Sequence, residues 1–403
     1  MKIIKKILKW LGILILSILI IANLVILFSG RLYIYKAISA TYLRGNMGPH
    51  IYDLEVFENR EVPAGVAQPW QEDLNAKFDL SKEERERFEK MDPASFLVVW
   101  GDTLIYEEYW GEHNIQKIGN SFSMAKTVVS LLIGVAMDEG YIKSLDEPVA
   151  NYLPEYKGDK ENITIRQTLT MSTGLSWDES YKSPFSDVAE LYYDTDARDL
   201  SLNRREIEGE PGVTWIYKSG DTQVLVYILE AATGKTVSEY ASEKLWKPMG
   251  AESDAWWSLV DGPDSEEKGY CCMYATTRDF ARLGKLVSHR GNWNGNQLVD
   301  SSYVSEMCSL APLKKENGHE NNCYGLQYWI YTGLPYEVTY FRGMRGQYII
   351  SIPSKDLVIV RTGDGTEENG GPEDGALENH RKEVPFYIEI GERFLKEYQS
   401  LSH

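Results

Sequence analysis

Ser123 and Lys126 stand three residues apart in Asn120-Ser121-Phe122-Ser123-Met124-Ala125-Lys126, so on a helix their side chains meet on one face. A serine hydroxyl is a weak nucleophile until a neighbour takes its proton. A lysine can take that proton only when neutral. Burial disfavours its charged form, and so does the positive end of a helix dipole. Free backbone N–H groups at the same helix end, that of Ser123 among them, can hold an oxyanion. The pair therefore suits acyl transfer through a serine ester.

The element that must carry the pair follows directly. Residues 128–137 are apolar almost all round, broken only by Ser130 and Gly134, and Asp138-Glu139-Gly140 supplies a helix stop. A helix apolar on every side belongs in the middle of a domain. Ser-x-x-Lys recurs at Ser265 and Lys268, inside Asp264-Ser265-Glu266-Glu267-Lys268. That acidic stretch reads as a solvated loop with nothing to desolvate its lysine, so the nucleophile is placed at Ser123.

Residues 95–110 read as a hairpin turning at Gly101-Asp102, and Ser81-Lys82-Glu83-Glu84 is a capping box opening a short charged helix to Met91. After the buried helix come residues 140–155, ending Asn151-Tyr152-Leu153-Pro154-Glu155. A second capping box follows, Thr164-Ile165-Arg166-Gln167, opening a short helix that Gly174 closes.

This succession resembles the serine beta-lactamase-like hydrolases: class C beta-lactamases, related esterases, D-amino-acid peptidases and 6-aminohexanoate-dimer hydrolases. The resemblance runs from about Ser95 to the C-terminus. It implies a second motif, Tyr-x-Asn or Tyr-x-Ser, facing the nucleophile. Tyr181-Lys182-Ser183 and Tyr217-Lys218-Ser219 both fit. The frame Pro211-Gly212-Val213-Thr214-Trp215 before Tyr217, and an apolar helix ending at Thr233-Gly234 after it, resemble the family's and favour Tyr217. Its phenol could relay protons between Ser123, Lys126 and a leaving group. Ser219 then stands as a substrate-binding candidate. In the aminohexanoate branch a tyrosine on a comparable loop contacts substrate, which marks Tyr181, although a plain loop residue fits as well.

The family's third motif, Lys-Thr-Gly or His-x-Gly, is expected in Phe341-Arg342-Gly343-Met344-Arg345-Gly346-Gln347, ahead of a strand at 348–353 with its partner at 356–361. Two registers fit. The one ending on Gly346, Met344-Arg345-Gly346, is preferred because it abuts the strand directly, and it makes the Gln347 backbone N–H the second oxyanion donor. Met344 then replaces the usual cation, and in the other register Phe341 does. Arg342 or Arg345 can substitute for it, or each can be a solvated strand arginine.

The resemblance implies a mixed α/β protein: a mainly antiparallel sheet from the hairpin and the late strands, flanked by helices, with a mostly helical subdomain at about 141–249. The expected division is a cytoplasmic tail at 1–9, a transmembrane anchor at 10–28, a lead-in with little regular pattern at 29–91 and a hydrolase domain at 92–403. Residues 1–9 hold four lysines and no acid, and the apolar run after them spans about 28 Å as a helix, near the roughly 30 Å of a hydrocarbon core. Lysine at its start favours an N-terminus inside and a catalytic domain outside the cytoplasm. A cleaved signal is the competing reading, but its nearest small-x-small site, Ala37-Ile38-Ser39, lies well beyond the run.

Net charge of −18 argues against nucleic acid, which needs a basic face. Cys271, Cys272, Cys308 and Cys323 permit several pairings in an oxidising compartment, Cys308–Cys323 for one. No ligand spacing points to a metal or cofactor, and the glycine-rich acidic stretch at 362–380 lacks the spacing of an EF-hand loop. The expected partner is a small-molecule substrate with an ester or small amide bond. A penicillin-sensing domain that never turns over and a true beta-lactamase are the alternatives.

Overall fold

Gly101, at φ +57°, closes the hairpin between Pro93–Trp100 and Thr103–Tyr109, and the first of these strands pairs with the central strand of the sheet, Leu357–Gly363. The computed structural model describes residues 2–73, 79–262, 264–367 and 380–401. Within them, the strand order is Trp329–Ile330, Thr339–Gly343, Gln347–Ile352, Leu357–Gly363, Pro93–Trp100, Thr103–Tyr109 and Gln71–Glu72. Pairing is antiparallel except at the outer Gln71–Glu72 strand. Strands buried on both faces read as continuous apolar runs, as Phe96-Leu97-Val98-Val99 and Ile349-Ile350 do.

Each face of this sheet carries helices. Thr277–Ser288 crosses one face, where Gly284 lets its backbone lie against Val358 and Ile349. Glu383–Leu401 covers the other, burying Phe386, Ile390, Phe394 and Leu395, and Lys82–Glu89 joins it through Phe88, stacked on Trp110 and edge-on to Phe96. Both capping boxes form. The helix opened by Thr164 ends earlier than its sequence implies, at Leu169, and Gly174 instead turns the following loop at φ +70°.

Met124–Asp138 is the buried helix, with every residue from Met124 to Ala136 out of solvent. It packs on Ser219–Thr233, the longest helix of the largely helical stretch between residues 141 and 249, which also holds Ile165–Leu169, Asp187–Tyr193, Ala197–Leu202 and Val237–Ala241.

One expectation needs correction here. The lead-in is not patternless. Asn59–Val62 pairs with Ala255–Ser258 in a four-stranded sheet with Met273–Ala275 and Gly119–Asn120, and Tyr33–Ala40 is helical. Its regularity comes from partners far away in sequence, which no local pattern reveals. The cysteine pairing, which the sequence left open, is also visible. Cys271 and Cys272, adjacent in the chain, form the disulfide, while Cys308 and Cys323 are buried thiols.

Lys2–Phe28 is one helix, long and apolar enough to cross a membrane, with Ile26 its buried residue. Of the acidic stretch at 362–380, Asp364 and Glu367 are described. Glu368, Glu373, Asp374 and Glu378, on which the calcium alternative rested, lie outside the described residues.

Candidate active site

Ser123 caps the buried helix, and the turn that presents it is unusual. Phe122, just before it, has φ +43°, a conformation costly for a residue with a side chain. The turn is pinned on both sides: Ser121 N donates to Met273 O (2.7 Å) and Phe122 N to Asn120 Oδ1 (2.8 Å). Gly343, at the end of strand Thr339–Gly343, presses on the same turn. A Cβ there would lie 2.2 Å from Ser121 O, so only glycine fits.

Lys126 Nζ lies 3.3 Å from Ser123 Oγ, 3.0 Å from Ser219 Oγ and 2.7 Å from Tyr270 O. Burial pushes this amine down to about 8, against the Glu179 carboxylate, which favours the charged form. Tyr217 lies on the other side of Ser123. The Lys126 amine is 5.1 Å from its ring centroid, and its phenol interacts with Ser123. Burial raises the phenol above its usual range, with Glu179 adding to that and Ser123 opposing it, so Tyr217 stays a protonated phenol rather than a standing phenolate. The alternative Tyr181 lies on an exposed loop, its hydroxyl donating to Glu179 Oε1 (2.6 Å).

Glu179, absent from the sequence reading, is the hub. It accepts from Ser219 N (2.8 Å), Ser219 Oγ (2.6 Å), Tyr181 and Trp177 Nε1. Ser219 is buried, bridges Lys126 to Glu179 and lines the small cavity beside Ser123. No spacing rule ties a loop glutamate to a helix more than fifty residues earlier. Its only signal is position, two residues before Tyr181.

Of the two registers for the third motif, it is the one ending on Gly343 that meets the Ser121–Ser123 turn. Met344 to Gly346 form a tight turn after Gly343, and Gln347 begins the next strand opposite Gly343. Gln347, expected to offer an oxyanion N–H, is fully buried. Its side chain is bound to Met344 O and Gly363 O, and it does not line the cleft, whereas Met344 does. The strand that ends at Gly343 packs against the turn that presents Ser123. Phe341 points into the core against Tyr328. Arg342 lines the cleft with its guanidinium 4.6 Å from the Trp329 ring centroid, so a cation does stand near the nucleophile. Arg345 is engaged by Asp364 (2.8 Å), which also meets His50 (3.2 Å). Gly346 lines the cleft at φ +83°, where a Cβ would strike Arg361.

The cleft above Ser123 has a volume of about 980 Å³ and is walled by Trp177, Tyr181, Trp215, Tyr217, Trp329 and Tyr348. A narrow apolar slot of about 100 Å³ runs off beside Ser123, with Cys271 of the disulfide in its wall. A larger groove of about 1180 Å³ at the Gly101-Asp102 turn is no rival. There Lys355, next to Ser354, is desolvated but held in its charged form by Glu392. The reading of Lys268 as solvated is also overturned: it is fully buried, its amine donating to Tyr192 O and lying 3.3 Å from the Phe57 ring centroid. Ser265 does not face it but accepts from Asp261 N.

The family model named Beta-lactamase matches residues 83–380. The chain belongs to the beta-lactamase family. It is an enzyme of that family, a serine hydrolase. A 6-aminohexanoate-dimer hydrolase of Paenarthrobacter ureafaciens is 27% identical over 322 residues, covering 75% of this chain and 80% of that protein. Among solved structures, a Bacillus anthracis protein assigned as a 6-aminohexanoate-dimer hydrolase superposes with a TM-score of 0.74 at 23% identity, covering 88% of this chain and 95% of that one. A family VIII carboxylesterase superposes with a TM-score of 0.60 at 16% identity, covering 84% of this chain and 100% of that one.

Proposed function

We propose that this beta-lactamase-family enzyme hydrolyses esters or small amides through an acyl-enzyme on Ser123, from a membrane anchor at its N-terminus. One observation carries the catalytic reading: a fully buried Lys126 amine, pushed down to about 8, lies 3.3 Å from Ser123 Oγ at the floor of the cleft. Lys126 takes the Ser123 proton as Oγ bonds to the substrate carbonyl carbon. The oxyanion is held by the backbone N–H groups of Ser123 and Met344. Tyr217 passes the proton to the leaving alcohol or amine as its bond to carbon breaks, and water then releases the acid and restores Ser123.

The aromatic walls suit an extended substrate, and Arg342 stands where an acidic end would be received. Hydrolysis of amides and esters by the named relatives supports this substrate class over a beta-lactam. The anchor reading is supported by Lys2–Phe28 and by the packing of residues just after it on the domain, which a signal cleavage near residue 40 would remove.

The test is a substrate panel on one preparation: short nitrophenyl esters, D-amino-acid amides, linear aminohexanoate dimers and a chromogenic cephalosporin. Ester or linear amide is expected to give the highest kcat/KM, with fluorophosphonate label on Ser123 and none on Ser123→Ala. Label on another serine ends the catalytic reading, and a cephalosporin preference ends the substrate reading.

A further inference from the structure

The chain leaves the apolar helix at Phe28, and three residues later Arg31 donates to Phe185 O, with its guanidinium 5.3 Å from the Phe185 ring centroid. Tyr33 donates its hydroxyl to Pro184 O (2.9 Å). Phe185 belongs to the loop that carries Glu179 and Tyr181. The exit of the apolar helix is thereby tied, within side-chain reach, to the active-site loop. Residues 33–57 then run on to the mouth itself: Ile51 packs on Phe122, and Pro49 forms part of the slot beside Ser123.

Beside the exposed Arg44 and Glu55, this segment leaves several large apolar side chains uncovered. Leu43 is 78% exposed and Met47 83%, with Tyr42, Leu32 and, across the mouth, Phe185 also open. Single exposed apolar residues need no explanation, but a group of them continuous with a helix of membrane length does. The slot is of the same character, walled by Phe122, Val188, Tyr192, Tyr193, Cys271 and Met344. It opens on Ser123, while the wide cleft on the other side holds the polar groups, Arg342 and Lys182 among them.

We infer that the slot is the chain-binding subsite for an amphiphilic ester or amide taken from the bilayer surface, with Tyr42, Leu43, Met47 and Phe185 seated in its headgroup layer. The inference rests on the anchor and on Ser123 as nucleophile. It gives the polar end of the substrate to the cleft and the apolar chain to the slot. An apolar chain lifted from a bilayer into water would lose the burial free energy of each methylene. A mouth set in the interface avoids that exposure.

The test uses the full chain in phosphatidylcholine vesicles and two fluorophosphonates, a water-soluble ethyl probe and a hexadecyl probe dissolved in the bilayer. With either, a bond forms between Ser123 Oγ and phosphorus as fluoride leaves, and labelling is followed at Ser123 by mass spectrometry. Leu43→Asp with Met47→Asp, and separately Phe185→Asp, are expected to lower the hexadecyl-to-ethyl rate ratio about tenfold. Val188→Trp, which fills the slot, lowers it likewise. Val66→Asp is the comparison: Val66 is 88% exposed, but the neighbouring Gly65 packs beside Lys247. Ratios that move no further than with Val66→Asp overturn the inference and leave Ser123 catalysis standing. Labelling of Ser123 by the ethyl probe alone also overturns the inference, whereas failure of both probes to label Ser123, or of the chain to stay with the vesicles, removes the reading beneath it and the inference with it.

Discussion

On the proposed mechanism Lys126 sets the acid limb of activity, because it must be neutral to take the Ser123 proton. With its pKa lowered to about 8, kcat/KM should rise with pH and level off above that value. Lys126→Ala should lose at least about 10³-fold in kcat at every pH. Glu179 acts on the same titration. Its negative charge favours protonated Lys126, so Glu179→Gln should lower the lysine pKa further and move the acid limb to lower pH. A profile that keeps its midpoint would show that Glu179 only holds the loop. The sequence made Ser123, Lys126 and Tyr217 legible because two of them share a helical turn and the third sits in a recognisable frame. Glu179 and the Tyr270 carbonyl were not legible, since they reach Lys126 only through tertiary folding.

Elements whose signals are local could be read from the chain. The capping boxes at Ser81 and Thr164 are contacts between side chain and backbone three residues apart, and both are present. The turn at 341–347 could not be read this way, since its register depends on which strand packs against Ser121. That packing makes Gly343 a sharp test. Gly343→Ala puts a methyl where Ser121 O lies and must shift the nucleophile turn, which should cost about 10²-fold in kcat by misplacing Ser123. Thermal unfolding measured alongside should show a folded protein. The cysteines offer a second check at this scale. Burial pushes the Cys308 thiol up to about 12 and Cys323 is fully enclosed, so iodoacetamide should leave the native protein unmodified. After unfolding, Cys308 and Cys323 should react, and Cys271 and Cys272 only after reduction.

At the scale of the whole molecule, the apolar helix and the segment after it differ in how they pack, although both precede the residues matched by the family model. Lys2–Phe28 packs little on the rest, with Ile26 its buried residue. Residues 33–57 are a structural part of the domain. Ile34, Ile51 and Phe57 are buried, Phe57 lies edge-on to Tyr192 at 5.2 Å, and Asp53 accepts from His50 N (2.6 Å). Fully burying three such apolar side chains contributes about 5–9 kcal/mol at 1.5–3 kcal/mol each, a sum comparable with a domain's whole stability of about 5–15 kcal/mol. A chain beginning at residue 29 should therefore be folded and label at Ser123 with the ethyl fluorophosphonate. One beginning at residue 58 should aggregate or unfold at much lower temperature, having exposed Tyr192, Tyr193 and the wall of the slot. Equal melting temperatures for the two truncations would show that residues 29–57 are a mere tether.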